Sequence, residues 1–181
     1  YNLLASNFQK TEEYDSALKY YLLAQDVLIE IEQNNKYFDG NNKLILSINI
    51  ANLYDKRKEY KKSIKELSSI LNYTTERKMP NDYANVIGNL GYSKMKNGEL
   101  DGVENLLLKA LNLSLKIGTQ TNTFYKYINL GEYYLKVKDT TKSRDFLKRA
   151  LVLGKKIKVS NELKLVYDLL SKAEPQRDSY Y

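Results

Sequence analysis

Apolar residues recur at helical spacing along most of the chain. Ile87, Leu90 and Gly91 stand at i, i+3 and i+4, and Lys94 at i+7 is the only break in the stripe. Leu100, Val103, Leu107, Ala110 and Leu111 form a second stripe of the same period. Between them lies Asn97-Gly98, a stop signal, because glycine takes the left-handed conformation that ends a helix without strain. Asp101 follows, where a negative charge would favour the first turn of the next helix. The pattern predicts two helices joined by a tight turn.

This two-helix unit returns at a fixed interval. Cores of the form Asn-apolar-small fall at Asn49-Ile50-Ala51, Asn89-Leu90-Gly91 and Asn129-Leu130-Gly131, 40 residues apart. An earlier copy fits Leu3-Leu4-Ala5, 46 residues before the second, which places about six extra residues in the connection around 36–42. A partial copy fits Leu169-Leu170-Ser171, again 40 residues on. The units run over about 1–40, 41–80, 81–120 and 121–159, with a partial repeat or cap over 160–181. Repetition at fixed period marks stacked units, none of which can bury its apolar face alone.

One register of the repeat is held by small residues. Ala5, Ala51, Gly91 and Gly131 are expected where paired helices approach closest, and Ala24, Ala110 and Ala150 serve on the second helix, with Ile70 the departure. Bulky residues fill the rest of the seam: Phe8, Tyr54 and Tyr134, then Tyr14 and Tyr60, then Tyr21, Leu67, Leu107 and Leu147. This succession of Leu, Gly or Ala, Tyr, Tyr, Ala, a bulky residue and Ala resembles the tetratricopeptide repeat over nearly all of residues 1–173. Lys94 replaces an aromatic of that pattern, Thr140 a Tyr, and Ser63, Val103 and Ser143 an Ala. The period is longer than the family's usual ~34 residues, and is similar to that of bacterial peptide-sensing regulators, kinesin light chains and the sensor regions of bacterial signalling proteins. The resemblance implies an all-α fold, a right-handed superhelical solenoid of antiparallel helix pairs. It also implies a concave groove, lined by the first helix of each pair, as the binding surface.

Composition narrows the chemistry. The chain has 17 Tyr but no Cys and no His, which removes thiol nucleophiles, imidazole bases and Cys or His zinc sites. The expectation is a protein without a catalytic site, cofactor or metal. Net charge is +7 and unevenly spread: −4 over 1–42, +4 over 43–82, +1 over 83–122 and +6 over 123–181. The gradient is either a solvated basic surface or a field that steers an acidic partner toward the later repeats. The Lys-rich segment around 55–65 is interrupted by Glu59 and spread around a helix axis, so direct nucleic-acid binding is not expected. No apolar run approaches the ~20 residues that span a bilayer, and no membrane insertion is expected. The chain opens already helical in pattern and without an initiator Met, as an excised piece of a longer protein would, and either a cytoplasmic or a periplasmic location is compatible.

Equivalent offsets on the first helices form ladders. Asn49, Asn89 and Asn129 could bond to the backbone of an extended ligand, each amide supplying two donors and an acceptor, or could bond between repeats. Lys56, Lys96 and Lys136, with Lys10 before them, are either ligand contacts or solvated surface. Glu13, Glu59, Glu99 and Asp139 read as turn chemistry. The individual positions on the same face are Ile48, Asn52 and Asp55, then Tyr92 and Met95, then Tyr125, Ile128, Glu132 and Leu135, then Leu165, Asp168, Leu169 and Lys172. The Lys and Arg positions with which chaperone adaptors of the resembled family grip a C-terminal carboxylate hold Asn2 or Ile48, Asn85 and Asn89, so that role is not expected.

The last apolar segment, 162–174, is expected to pack back through Leu163, Tyr167 and Leu170 while Leu165 and Leu169 point elsewhere. Either more chain follows it, as the tail at 177–181 suggests, or it meets a partner or a second copy. The sequence thus predicts a protein- or peptide-binding scaffold or sensor module of a bacterial regulatory protein. The alternative is a structural subunit that self-associates through Leu165 and Leu169.

Overall fold

The computed structural model describes residues 1–34, 41–76 and 79–174, with side chains except at 72, 73, 75 and 76. Among these residues the chain forms nine α-helices and no strand. They are α1 (Asn2–Lys10), α2 (Tyr14–Asn34), α3 (Asn41–Lys56), α4 (Tyr60–Glu76), α5 (Pro80–Asn97), α6 (Val103–Ile117), α7 (Gln120–Lys136), α8 (Thr140–Ile157) and α9 (Ser160–Ala173). Most of the connection expected to be long, around 36–42, and the tail at 177–181 lie outside the described residues. Two compact units divide the chain, Tyr1–Glu99 and Leu100–Tyr181.

In the first unit, α1 packs on α2, α2 on α3, α3 on α4 and α4 on α5. Its core gathers Ala5, Ala17, Tyr21, Leu46, Ile50 and Leu53, with Phe8, Tyr14 and Tyr54 against them. In the second unit, α7 packs on α6 and α8, and α9 lies against α8 and α7. There Phe124, Ile128, Leu147, Ala150, Val166, Leu169 and Ala173 form the core.

The small residues do what their register implied. An ideal Cβ on Gly131 would sit 2.5 Å from both Cγ and Cδ2 of Leu147, so α7 and α8 touch backbone to side chain at this level. Ala5, Ala51, Ala110 and Ala150 are fully buried. Ser143, which stands where the repeat pattern has Ala, keeps the close contact by donating its hydroxyl to the Gly131 carbonyl at 2.8 Å. Gly154 repeats the device one layer on, where an added Cβ would meet Phe124 at 2.6 Å and Leu163 at 2.8 Å.

The acidic ladder is turn chemistry, as its position suggested. The amides of Glu13, Glu59, Glu99 and Asp139 each donate to a carbonyl five residues back, on Phe8, Tyr54, Lys94 and Tyr134. The residue before each one is left-handed: Glu12, Lys58, Gly98 and Lys138, at φ 62°, 59°, 89° and 64°. This is a Schellman-type helix end. Asp139 also caps α8, accepting from the Lys142 amide at 3.0 Å. Asp101 does not play the part expected of it. Left-handed Gly102 precedes α6, the helix starts at Val103, and the acid of its first turn is Glu104.

Candidate functional site

The candidate face of the first unit is carried by α3 and α5. Asn49, Asn52 and Asp55 are half-buried along α3, and Asn89 and Tyr92 are half-buried along α5. The Asn89 Nδ2 donates to Asn52 Oδ1 at 2.8 Å. The ladder amide at 89 therefore bonds between repeats, to a side chain three residues past the equivalent Asn49. Each amide has further hydrogen-bonding capacity beyond this one bond.

Beside the amide pair lies a network of which the sequence pattern showed only part. The fully buried Ser93 hydroxyl is 2.9 Å from each carboxylate oxygen of Asp55, and 2.9 Å from Ser63 Oγ. Ser93 also lies 2.9 Å from the carbonyl of Asn89. A hydroxyl has one proton to give, so a consistent pattern runs from Ser63 to Ser93 to the carboxylate. Burial pushes the Asp55 carboxyl up to about 6, against the pull of the Ser93 and Ser63 hydroxyls. Asp55 has no ion-pair partner among the described residues. Asp55 and Ser63 stood out in the sequence, and Ser93 did not. Its signal was register: the residues 40 positions before and after it are Leu53 and Tyr133, so a hydroxyl replaces a core side chain.

Other positions expected on this face fall differently. Met95 is fully buried and cannot line an open groove. It shares its offset in the repeat with Asp55, so an apolar thioether stands in one repeat where a carboxylate stands in the preceding one. Lys96 lies half-buried with its ammonium 5.5 Å from the centre of the Tyr92 ring. Lys10, Lys56 and Lys136 are exposed in the last turns of α1, α3 and α7, where positive charge complements the helix dipole.

In the second unit the corresponding face belongs to α7 and α9. Asn129 and Glu132 are half-buried, and Tyr125 is exposed, its hydroxyl donating to Glu162 Oε1 at 3.2 Å. Burial and the Glu162 carboxylate both raise the phenol above its ordinary value. Leu165 is 48% exposed, whereas Leu169 is 5% exposed and packed in the core, contrary to the expectation that both would face outward. The buried stripe of α9 is Val166, Leu169, Leu170 and Ala173, at i, i+3, i+4 and i+7. Tyr167, expected to pack inward, is 50% exposed because that stripe leaves it on the far side.

One further group gave no sign in the repeat pattern. Lys126, on α7, is 4% exposed, and the desolvation of its ammonium lowers its pKa to about 8. The residues 40 positions either side are Val86 and Val166, both fully buried, so a lysine occupies a core register of the repeat.

Among the described residues no helix is long and apolar enough to cross a membrane, and no group of three His, Cys, Asp or Glu could hold a metal ion.

The fold is of the tetratricopeptide-like repeat type. BtubC (BKLC) from P. vanneervenii matches 94% of this chain and 72% of its own length, at a TM-score of 0.69 and 19% identity. A protein of Podosopora anserina assigned to the kinesin light chains, with nearly identical TPR-like repeats, matches 95% of this chain and 90% of its own at a TM-score of 0.67 and 11% identity. A single-substitution variant of that protein matches at 0.68, also with 11% identity. No family model matches the sequence, and no curated protein matches it either. TPR-like folds in general mediate protein–protein interaction and are typically non-catalytic scaffolds.

Proposed function

We propose that the chain is a non-catalytic module that binds protein or peptide segments on first-helix faces of its repeats, above all that of α3 and α5, as the sensor or scaffold part of a bacterial regulatory protein. The observation that carries this reading is the polar set of α3 and α5. Asn52 and Asn89 hold each other's amides in place, and Asp55 stands beside them half-buried and without a counter-cation among the described residues. Amides fixed in this way meet a ligand backbone at little entropic cost, since their rotamers are already set. A carboxylate whose pKa is raised by burial gains most from a ligand cation, because ion pairing restores the charged form that burial penalises. The expected ligand is thus an extended segment with a basic group seated at Asp55.

The test is selection of a random peptide display library on the whole chain and on the Asn52→Ala, Asn89→Ala double variant. Peptides with Lys or Arg at a common position should enrich on the first and not on the second, with helicity unchanged. Equal enrichment on both would refute this use of the face.

The exposed Leu165 and Tyr167 on α9 favour a second reading, self-association of the chain through this helix. Sedimentation should then show a dimer that Leu165→Glu converts to monomer; a wild-type monomer at high concentration rejects it.

A further inference from the structure

A second, chemically different surface lies within the second unit. A groove of about 550 Å³ opens between the end of α6, the start of α7 and the length of α8. Its apolar lining includes Leu115, Tyr127 and Val152, of which Leu115 is 50% and Val152 70% exposed. Lys148, Arg149 and Lys156 line it as well. The groove lies apart from the face that carries Tyr125. Tyr127 is two residues from Tyr125, which at ~100° per residue places it on the opposite side of α7.

The charge around the groove is one-sided. α8 carries six basic residues and a single acid, Asp145. That acid is used within the helix, where Arg149 Nη2 lies 2.9 Å from its Oδ2. Lys148 and Lys156 are exposed and have no ion-pair partner among the described residues. Lys156, in the last turn of α8, also complements the helix dipole. Lys148 is two turns back from it, beyond the reach of that effect. The two lysines are eight residues apart, about 12 Å along the helix, with Val152 midway.

We propose that this groove docks an acidic segment of a partner protein, its apolar side chains seated on Leu115, Tyr127 and Val152 and its carboxylates paired with Lys148 and Lys156. Exposed apolar area of this kind is stabilised by being covered, and the flanking cations select against neutral or basic segments that would leave them desolvated and unpaired. An apolar residue with carboxylates about 12 Å apart on either side fits the spacing, which is two turns of a helix or about four residues of extended chain.

Selection of a random 12-residue peptide display library on the intact chain tests this, followed by fluorescence anisotropy with synthetic copies of the enriched peptides. Two variants accompany the wild type, Lys148→Glu with Lys156→Glu, and Val152→Asp; all three positions are exposed, so folding should survive and circular dichroism checks it. Among the enriched peptides there should be a class with Asp or Glu flanking Leu, Ile or Phe. Its affinity should fall about tenfold or more in each variant and on raising salt from ~0.05 to ~0.5 M, since exposed pairs are screened. The Asn52→Ala, Asn89→Ala variant should bind this class normally, which separates the groove from the face of α3 and α5. Failure to enrich an acidic class, or acidic peptides that bind the lysine-reversed variant as tightly as wild type, overturns the proposal.

Discussion

Replacing Asp55 by asparagine tests how burial and hydrogen bonding compete in the first unit. The carboxylate receives the Ser93 hydroxyl at 2.9 Å, yet burial is the larger effect and raises its pKa from 3.8 to about 6. A group whose folded pKa lies above its unfolded value binds its proton more tightly when folded. The fold therefore loses stability as the pH climbs from 3.8 to about 6, and the loss is complete above that. About two pKa units correspond to roughly 3 kcal/mol, and partial exposure of the group reduces this to about 1–2 kcal/mol. The substituted side chain would keep an oxygen for Ser93 and carry no charge. The Asp55→Asn variant should be more stable than wild type by about 1–2 kcal/mol near pH 7.5, and the gain should shrink toward zero near pH 4. Urea unfolding followed by circular dichroism at both pH values measures it. If Asp55→Asn is no more stable near pH 7.5, or if its advantage does not change with pH, hydrogen bonding outweighs burial and the reasoning fails.

Three further outcomes follow from packing and charge. Gly131→Ala places a methyl 2.5 Å from the branch point of Leu147, and the clash should exceed the ~1 kcal/mol gained in helix propensity, for a net loss of about 1–3 kcal/mol by denaturant unfolding. Combining it with Leu147→Ala should cost less than the sum of the two single changes. Lys126→Met removes an ammonium whose pKa is lowered to about 8 by burial; wild-type stability should rise as pH climbs from about 8 toward 10.5 and the methionine variant should not share that rise, which pH-dependent unfolding would detect. Lys138→Gly should stabilise by about 0.5–1 kcal/mol, because φ is 64° there and a lysine is strained where glycine is not, and the thermal midpoint would report it.

Much of the architecture was legible in the chain. Helix pairs, the small residues at 5, 51, 131 and 150, and the acidic turn positions at 13, 59, 99 and 139 all recur at intervals set by the repeat, so one local rule reads several sites at once. Gly98 marks a helix end wherever it occurs, since its left-handed conformation is a backbone property. Departures from the repeat were harder to interpret. Asn89 could face a ligand or another repeat, and only the 2.8 Å bond to Asn52 shows which partner it has in the folded chain. Met95 and Asp55 share one offset, yet Met95 is fully buried whereas Asp55 anchors a hydroxyl network, for which α4 and α5 supply Ser63 and Ser93.

Periodicity alone also left open which of two overlapping stripes on α9 would be buried. Leu163, Tyr167, Leu170 and Val166, Leu169, Ala173 are both helical in spacing; in contact with α8 and α7 the second set is buried, Leu163 and Leu170 pack at its edge as expected, and Tyr167 is left out. The buried Lys126 and the basic groove along α8 depend on residues far apart in sequence. By itself the sequence determined the helices, their ends and their repeating contacts, since these depend on backbone conformation and spacing within some 40 residues. The tertiary structure decided which polar groups lose their water and which apolar groups keep it, because solvation depends on every element that packs nearby.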